Sequence, residues 1–445
     1  MSDVHGAGGD RHIDELRRAR AAEDFGHCVH AEPEAVLTPG SPAEVQEAVA
    51  YAAARGLRIA ARGAGHSTYG QGQVAGGIVL DMTELGAVHE VEAGHAVADA
   101  GALWSQVVAA TLARRRTPPV LTDYLGTTVG GTLSVGGIGG ASHRYGLQTD
   151  TVLALEVVTG TGALVRCSAT ENRDLFDCVR GGLGQFGVIV RATMRLVPTF
   201  DSTRWYKFWY DDLTAFLSDQ ARVVREGLLD HVQGRILAAE GGSWRYRLDL
   251  ARHFAAGHAP DDRALLRGLR YERGTERVED LAHPDFLGRL ADGERQLQET
   301  GEWFHPHPWL NLLMPARVIE PFVRHVLDGL TQDDIGGSGL VLVYPVPAET
   351  LRTPFIRKPA GETAFLFALL RTALPGEEGS MIAGNRRIYE QALAAGGVAY
   401  PVNALPMSPR GWRRHFGSQW NDFARAKQRF DPHGILTPGQ GIRLG

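Results

Sequence analysis

The chain has 445 residues, 44% hydrophobic and 22% charged, with a formal net charge of −5. That length calls for two or three compact units, two being the expectation, and the composition excludes a disordered, collagen-like or coiled-coil chain. No run of Lys and Arg forms the basic stripe that nucleic acid requires, and no stretch approaches the ~20 apolar residues that cross a bilayer, so neither partner is expected. The charged start, MSDVHGAGGDRHIDELRRARAAEDF, lacks an apolar segment before a cleavage site, and Cys28, Cys167 and Cys178 show no C-x-x-C spacing, which together fit a cytoplasmic protein.

His12 to Ala22 has helix-compatible spacing. TPGSPAEV then opens a second helix, with Ser41 as cap, Pro42 at its first position and Glu44 three residues on. GLRIAARG and GGIVLDM read as strands. From Leu153 the pattern predicts a hairpin, LALEVVTG and ALVRCS, then a helix at ENRDLFDCVR and a strand at GVIVRATMRLVP, ending at Pro198. Beyond it, WYKFWY and SWRYRLDL read as strands bracketing the helix DLTAFLSDQARVVREGL. Residues 258–301 are polar and read as helical or looped, and LVLVYPV is a further strand. SPRGWRRHFGSQWNDFARAKQRF reads as one basic amphipathic helix before a turn-rich tail.

Glycine numbers 55 and is dense between Gly126 and Gly187, where bare backbone could approach a flat or phosphorylated ligand. Gly182-Leu-Gly-Gln-Phe-Gly187 satisfies G-x-G-x-x-G, but it follows a helix-like segment and opens a strand, the reverse of a dinucleotide fingerprint. The stretch RGAGHSTYGQG, Arg62 to Gly72, follows a strand and offers several backbone N–H groups to an anion such as a pyrophosphate. By itself, His66 within it reads equally well as a turn residue. A second run, TDYLGTTVGGTLSVGGIGGASHRYG, is too rich in glycine for a stable helix and is expected as loop and short turn. Its apolar Leu125, Val129, Leu133, Val135 and Ile138 need burial, which favours ordered backbone around a ligand over a linker.

These stretches, with GALWSQVVAATL, DLFDCVRGGLGQFGVIVRATMRLVP, HPWLNLLMP, GWRRHFGSQW and FDPHGILTPGQGI, resemble the cytokinin dehydrogenases of the vanillyl-alcohol-oxidase-like, PCMH-type FAD family. The resemblance implies an α+β chain. A PCMH-type FAD-binding domain would occupy residues 1–198, a substrate domain of antiparallel sheet covered by helices 199–400, and a segment returning to the FAD domain 401–445. It also implies FAD bonded covalently to His66, with Arg62, Gly63, Ala64, Gly65, Ser67 and Gln71 in the first cradle. Thr122, Asp123, Thr127, Thr128, Gly130, Gly131, Ser134, Gly137, Gly139 and Gly140 make the second. Gly187, Val188, Ile189, Tyr400 and Gln440 complete the cofactor set. Tyr124 stands near where some relatives carry a second, cysteine link, so a single attachment is expected.

In that family the aspartate of the TDYL motif is the acid/base group, and Asp123 matches; read alone, it is a turn-forming Asp. Trp309, Asn311 and Val402 would line the substrate cavity with Asp123. The implied reaction oxidises the C–N bond of an amine such as N6-isopentenyladenine, with oxygen or a quinone as electron acceptor. An alcohol, sugar or secondary-metabolite oxidase and a non-redox flavin scaffold are the alternatives. No metal is expected: His305 and His307 alternate with prolines and lack an acidic or cysteine partner. Two departures from the family lie beside the presumed cavity, Leu121 in place of tryptophan and VAYPVNALP in place of a YLPHY-like stretch.

Overall fold

The computed structural model describes residues 8–444; the first seven residues, with the start of the expected FAD domain and of the charged N-terminal stretch, lie outside them. The first half is built on two larger sheets, with a short antiparallel pair of Arg116–Thr117 and Val197–Pro198 beside them. Strands Ala35–Leu37, Ile78–Asp81 and Ile59–Arg62 lie side by side and parallel, backed by helix Pro42–Arg55. That helix begins as its sequence dictates: the Ser41 hydroxyl accepts from the Glu44 N–H at 3.3 Å and Pro42 takes the first turn. The second sheet is antiparallel, in the order Val88–Val91, His95–Asp99, Val188–Arg195, Val152–Val158 and Leu164–Ser168, and contains the expected hairpin.

The second half is one antiparallel sheet of eight strands. Its order is Arg277–Ala282, Ser202–Tyr210, Trp244–Phe254, His231–Ala238, Leu340–Pro347, Thr363–Leu370, Leu310–Pro315 and Val398–Ala399. Strand period decides its two faces. Val341, Val343, Phe365, Phe367, Leu369, Leu310, Leu312 and Met314 pack into a core with helices Leu213–Glu226, Ile319–Asp328 and Glu378–Ala394. The alternate residues Leu340, Leu342, Tyr344, Leu366, Ala368 and Leu370 face the first half and wall a cleft.

The tail returns to the first half. Phe416 and Phe423, 1% and 0% exposed, join Phe176 and Phe186 in one core, burial that stabilises by roughly 1.5–3 kcal/mol per ring. Leu436 bridges to Ile59, and the buried pair Lys427–Asp431, at 2.7 Å, fixes the turn between helix and tail. Among the described residues no helix is long and apolar enough to cross a membrane.

Local expectations change at four places. Residues 258–301, expected to be helical or looped, contribute the edge strand Arg277–Ala282, which pairs with Ser202–Tyr210. The second glycine run contains two short helices, Val129–Leu133 and Ser142–Tyr145. Propensity loses there because Val129 and Leu133 are fully buried and the Thr128 hydroxyl caps the Gly131 N–H. The C-terminal amphipathic helix is two, Pro409–Phe416 and Trp420–Phe430, broken at Gly417, whose φ of 54° leaves the helical region. Strands His231–Ala238 and Thr363–Leu370, absent from the sequence reading, sit in the middle of the large sheet.

Candidate active site

A cleft of about 430 Å³ opens between the two halves, within the range of pockets that hold small molecules and cofactors. Its floor is the Arg62–Ser67 loop, which leaves the end of strand Ile59–Arg62 and turns at Gly65, φ 72°. The turn needs glycine for this conformation, and a β-carbon there would stand 2.2 Å from the Arg62 guanidinium and push it aside. Gly63 brings the cradles together: its missing β-carbon would lie 2.0 Å from the Thr128 hydroxyl of the second loop.

Asp24 anchors this loop from behind. It is 3% exposed and accepts from Ser67 Oγ at 2.8 Å and from the Gly70 N–H at 2.7 Å. Burial raises its carboxyl to about 6, against the lowering effect of those donors and of Arg62.

His66 projects from the loop into an aromatic cage: Phe25 at 4.0 Å, Tyr124 at 4.6 Å, Trp309 at 5.9 Å and Trp303 at 6.0 Å between ring centres. Neither of its ring nitrogens has a hydrogen-bond partner among the described residues. Desolvation, with His307 nearby, pushes its pKa down to about 3, so the imidazole is neutral and carries a free lone pair.

Asp123 lines the same cleft, one residue before the Tyr124 ring that meets His66. The turn around it is tied by other groups, since the Thr122 and Thr127 hydroxyls both donate to the Tyr124 carbonyl, at 3.0 and 3.3 Å. The Asp123 carboxylate faces the second half of the chain instead. Gln233 Nε2 donates to Oδ2 at 2.7 Å and the Arg289 guanidinium pairs with Oδ1. Burial alone would raise this carboxyl, but Arg289, Arg235 and the Gln233 bond bring it down to about 2, leaving an ionised group.

Of the other expected residues, Ala64, Gln71, Gly130, Gly131, Ser134, Gly137, Gly187, Val188, Ile189 and Gln440 line the cleft, as do Trp309 and Val402. Burial holds the Tyr400 phenol above its ordinary value while the Gly137 and Ile138 N–H groups bond to it, linking the returning strand to the second glycine loop. Asn311 also lines the cleft, but its side-chain nitrogen is engaged by the Val402 carbonyl.

Gly139 and Gly140 do not line it. A β-carbon on Gly139 would meet the Leu121 carbonyl oxygen at 2.0 Å and one on Gly140 the His231 ring at 2.1 Å, so these two glycines are packing positions. Gln233, Arg235, Arg289, Tyr344, Asp24 and Phe25 were missed by the sequence reading. For Gln233 and Arg235 the signal was there: they alternate with Val232, Gly234 and Ile236 in a strand-like run.

The cleft fits FAD: two cradles of bare backbone that side chains would block, meeting beside an unpartnered neutral histidine. Comparison with known proteins agrees. A model of the FAD-binding domain matches residues 33–168, and one described as "Cytokinin dehydrogenase 1, FAD and cytokinin binding" matches residues 237–443. Cytokinin dehydrogenase 1 of Oryza sativa subsp. japonica is 36% identical, the alignment covering 98% of this chain and 92% of that protein. The chain belongs to the cytokinin dehydrogenase family of FAD-dependent oxidoreductases.

Another member-like relative, an uncharacterized oxidoreductase, ORF5 of the fasciation locus of Rhodococcoides fascians, is 56% identical over 96% of this chain and 98% of its own length. In fold, this FAD-dependent oxidoreductase resembles 6-hydroxy-D-nicotine oxidase of Arthrobacter nicotinovorans, with a TM-score of 0.72, 21% identity, and coverage of 98% of this chain and 95% of that one. This likeness carries the α+β, PCMH-type architecture.

Proposed function

We propose that this FAD-dependent oxidoreductase cleaves the C–N bond of an N6-substituted adenine such as N6-isopentenyladenine, giving adenine and an unsaturated aldehyde. The observation that carries the reading is the meeting, in one cleft, of an ionised carboxylate, Asp123, with an apolar sheet face of Leu340, Leu342, Leu366 and Leu370. A planar heterocycle with an alkenyl arm can lie against that face and Trp309, its N–H turned to Asp123.

The Arg62–Ser67 loop, the second glycine loop, Gly187–Ile189, Tyr400 and Gln440 would hold FAD, and the free lone pair of His66 is suited to a covalent bond with it. FAD, when bound, supplies the two-electron acceptor for the hydride leaving the substrate carbon. Loss of that hydride leaves positive charge on nitrogen and makes its N–H strongly acidic, so a carboxylate as weakly basic as Asp123 suffices to take the proton. The product imine adds water and splits into amine and aldehyde. Oxygen or a quinone is the final acceptor in this reading.

The test is anaerobic mixing with N6-isopentenyladenine, hexoses and aromatic alcohols, following flavin bleaching. Bleaching by the adenine alone supports the proposal. Bleaching by a hexose or alcohol but not the adenine replaces it with an alcohol or sugar oxidase, and no bleaching by any of them speaks for a non-redox scaffold.

A further inference from the structure

Asp123 is the sole carboxylate among the described residues lining the cleft, and it is held from two sides. Gln233 occupies Oδ2 at 2.7 Å. Gln233 is itself fixed by Arg235, whose guanidinium donates to its Oε1 at 3.0 Å and pairs at 3.0 Å with Asp249, a buried carboxylate also engaged by Arg247 at 2.9 Å. Oδ1 pairs with Arg289, which comes from the turn after helix His283–Leu287. Arg289 is built in: its side chain is 6% exposed, its guanidinium lies 4.6 Å from the centre of the Phe286 ring, and it donates to the Phe286 carbonyl at 3.2 Å.

The other titratable groups facing Asp123 are His231 and Arg235 on strand His231–Ala238 and Tyr344 on strand Leu340–Pro347. Burial keeps His231 neutral and the Tyr344 phenol protonated. Arg235 is already shared with Asp249, which leaves Arg289 as the cation in direct contact with the Asp123 carboxylate.

We infer that Arg289 is the positioning residue of this site, clamping Asp123 in one orientation and holding it as a carboxylate, a role that rests on Asp123 being the proton acceptor of the proposed reaction. With Oδ1 and Oδ2 each taking one donor, each oxygen keeps a second lone-pair direction for a substrate N–H. Without Arg289, the Gln233 amide and the more distant charge of Arg235 would alone oppose the cost of removing the carboxylate from water, and its affinity for a proton would rise.

Two variants and the wild type test this. In Arg289→Gln the acid limb of the rate of flavin reduction should move up by one pH unit or more, while Arg289→Lys, which keeps the charge, should stay closer to wild type. A second readout needs no substrate: infrared titration of 13C-aspartate protein, with the Asp123 carboxyl assigned by its loss in Asp123→Asn, should show protonation at higher pH in Arg289→Gln. An unchanged acid limb together with an unchanged carboxyl titration would overturn the inference. If Arg289→Gln does not fold, the wild-type titration decides, since a protonated Asp123 signal at about pH 4.5, where an unclamped buried aspartate is protonated, also overturns it. Because that titration is read without an amine, it separates failure of the clamp from failure of the amine-oxidation reading, which flavin bleaching alone decides.

Discussion

The Phe25 ring lies 4.0 Å from that of His66 and on its other flank stacks at 4.0 Å on His307, whose Nδ1 is 3.1 Å from the Phe25 carbonyl. Both imidazoles are therefore held neutral in an apolar stack, and burial pushes His307 to about 4. His283 and His415 are likewise depressed to about 4 by burial. An imidazole depressed in the fold binds its proton more readily in the unfolded chain, so stability from these groups is present at neutral pH and is lost as pH falls from about 6.5 towards 4. Asp24 works the other way. Its carboxyl, raised to about 6, favours the fold when protonated, so its contribution falls as pH rises from about 4 to 6. Burial raises the Asp150 carboxyl in the same direction as Asp24, but four histidines outweigh two aspartates at roughly 1.4 kcal/mol per pH unit of displacement. Calorimetry should find the melting temperature several degrees lower at about pH 5 than at about pH 7; a flat or inverted profile would show that these rings do not carry the acid sensitivity.

His66→Ala removes the unpartnered imidazole from the aromatic cage, and with it the nitrogen proposed to bond FAD. In the wild type, acid precipitation should leave the yellow chromophore in the pellet. The variant should release it to the supernatant, while the two glycine cradles still retain FAD in native buffer. Colour released equally from both proteins would mean that no bond to His66 exists.

Asp123→Asn keeps the shape and the contact with Gln233 but cannot accept a proton. Flavin reduction by N6-isopentenyladenine should slow by about 10²–10⁴-fold in stopped flow, with FAD content unchanged. A rate near that of wild type would return Asp123 to a purely architectural part.

Gly63→Ala would drive a methyl against the Thr128 hydroxyl and part the two cradles. The variant should purify folded, by circular dichroism, yet with little bound flavin. Adding Thr128→Ala should restore part of the FAD content, because the colliding hydroxyl is gone, although losing the cap costs about 1 kcal/mol. Full flavin content in Gly63→Ala alone would mean that the loops do not close on each other as described.

Much of this was legible before any coordinates. The capping signals at Ser41 and Glu44, the hairpin from Leu153, the cradle around His66 and the rejection of the Gly182–Gly187 fingerprint are statements about neighbours in sequence, and local chemistry decides such things. Motif resemblance extended that to the family and to FAD. What sequence could not settle lies where distant segments meet. Short helices formed in a glycine-rich run because Val129 and Leu133 found a core to enter, and two expected cofactor glycines, Gly139 and Gly140, turned out to make room for Leu121 and His231. Above all, Asp123 alone reads as a turn residue. Its charge state and direction are set by Gln233 and Arg289, 110 and 166 residues away, because desolvation and ion pairing depend on which groups folding brings within a few ångströms.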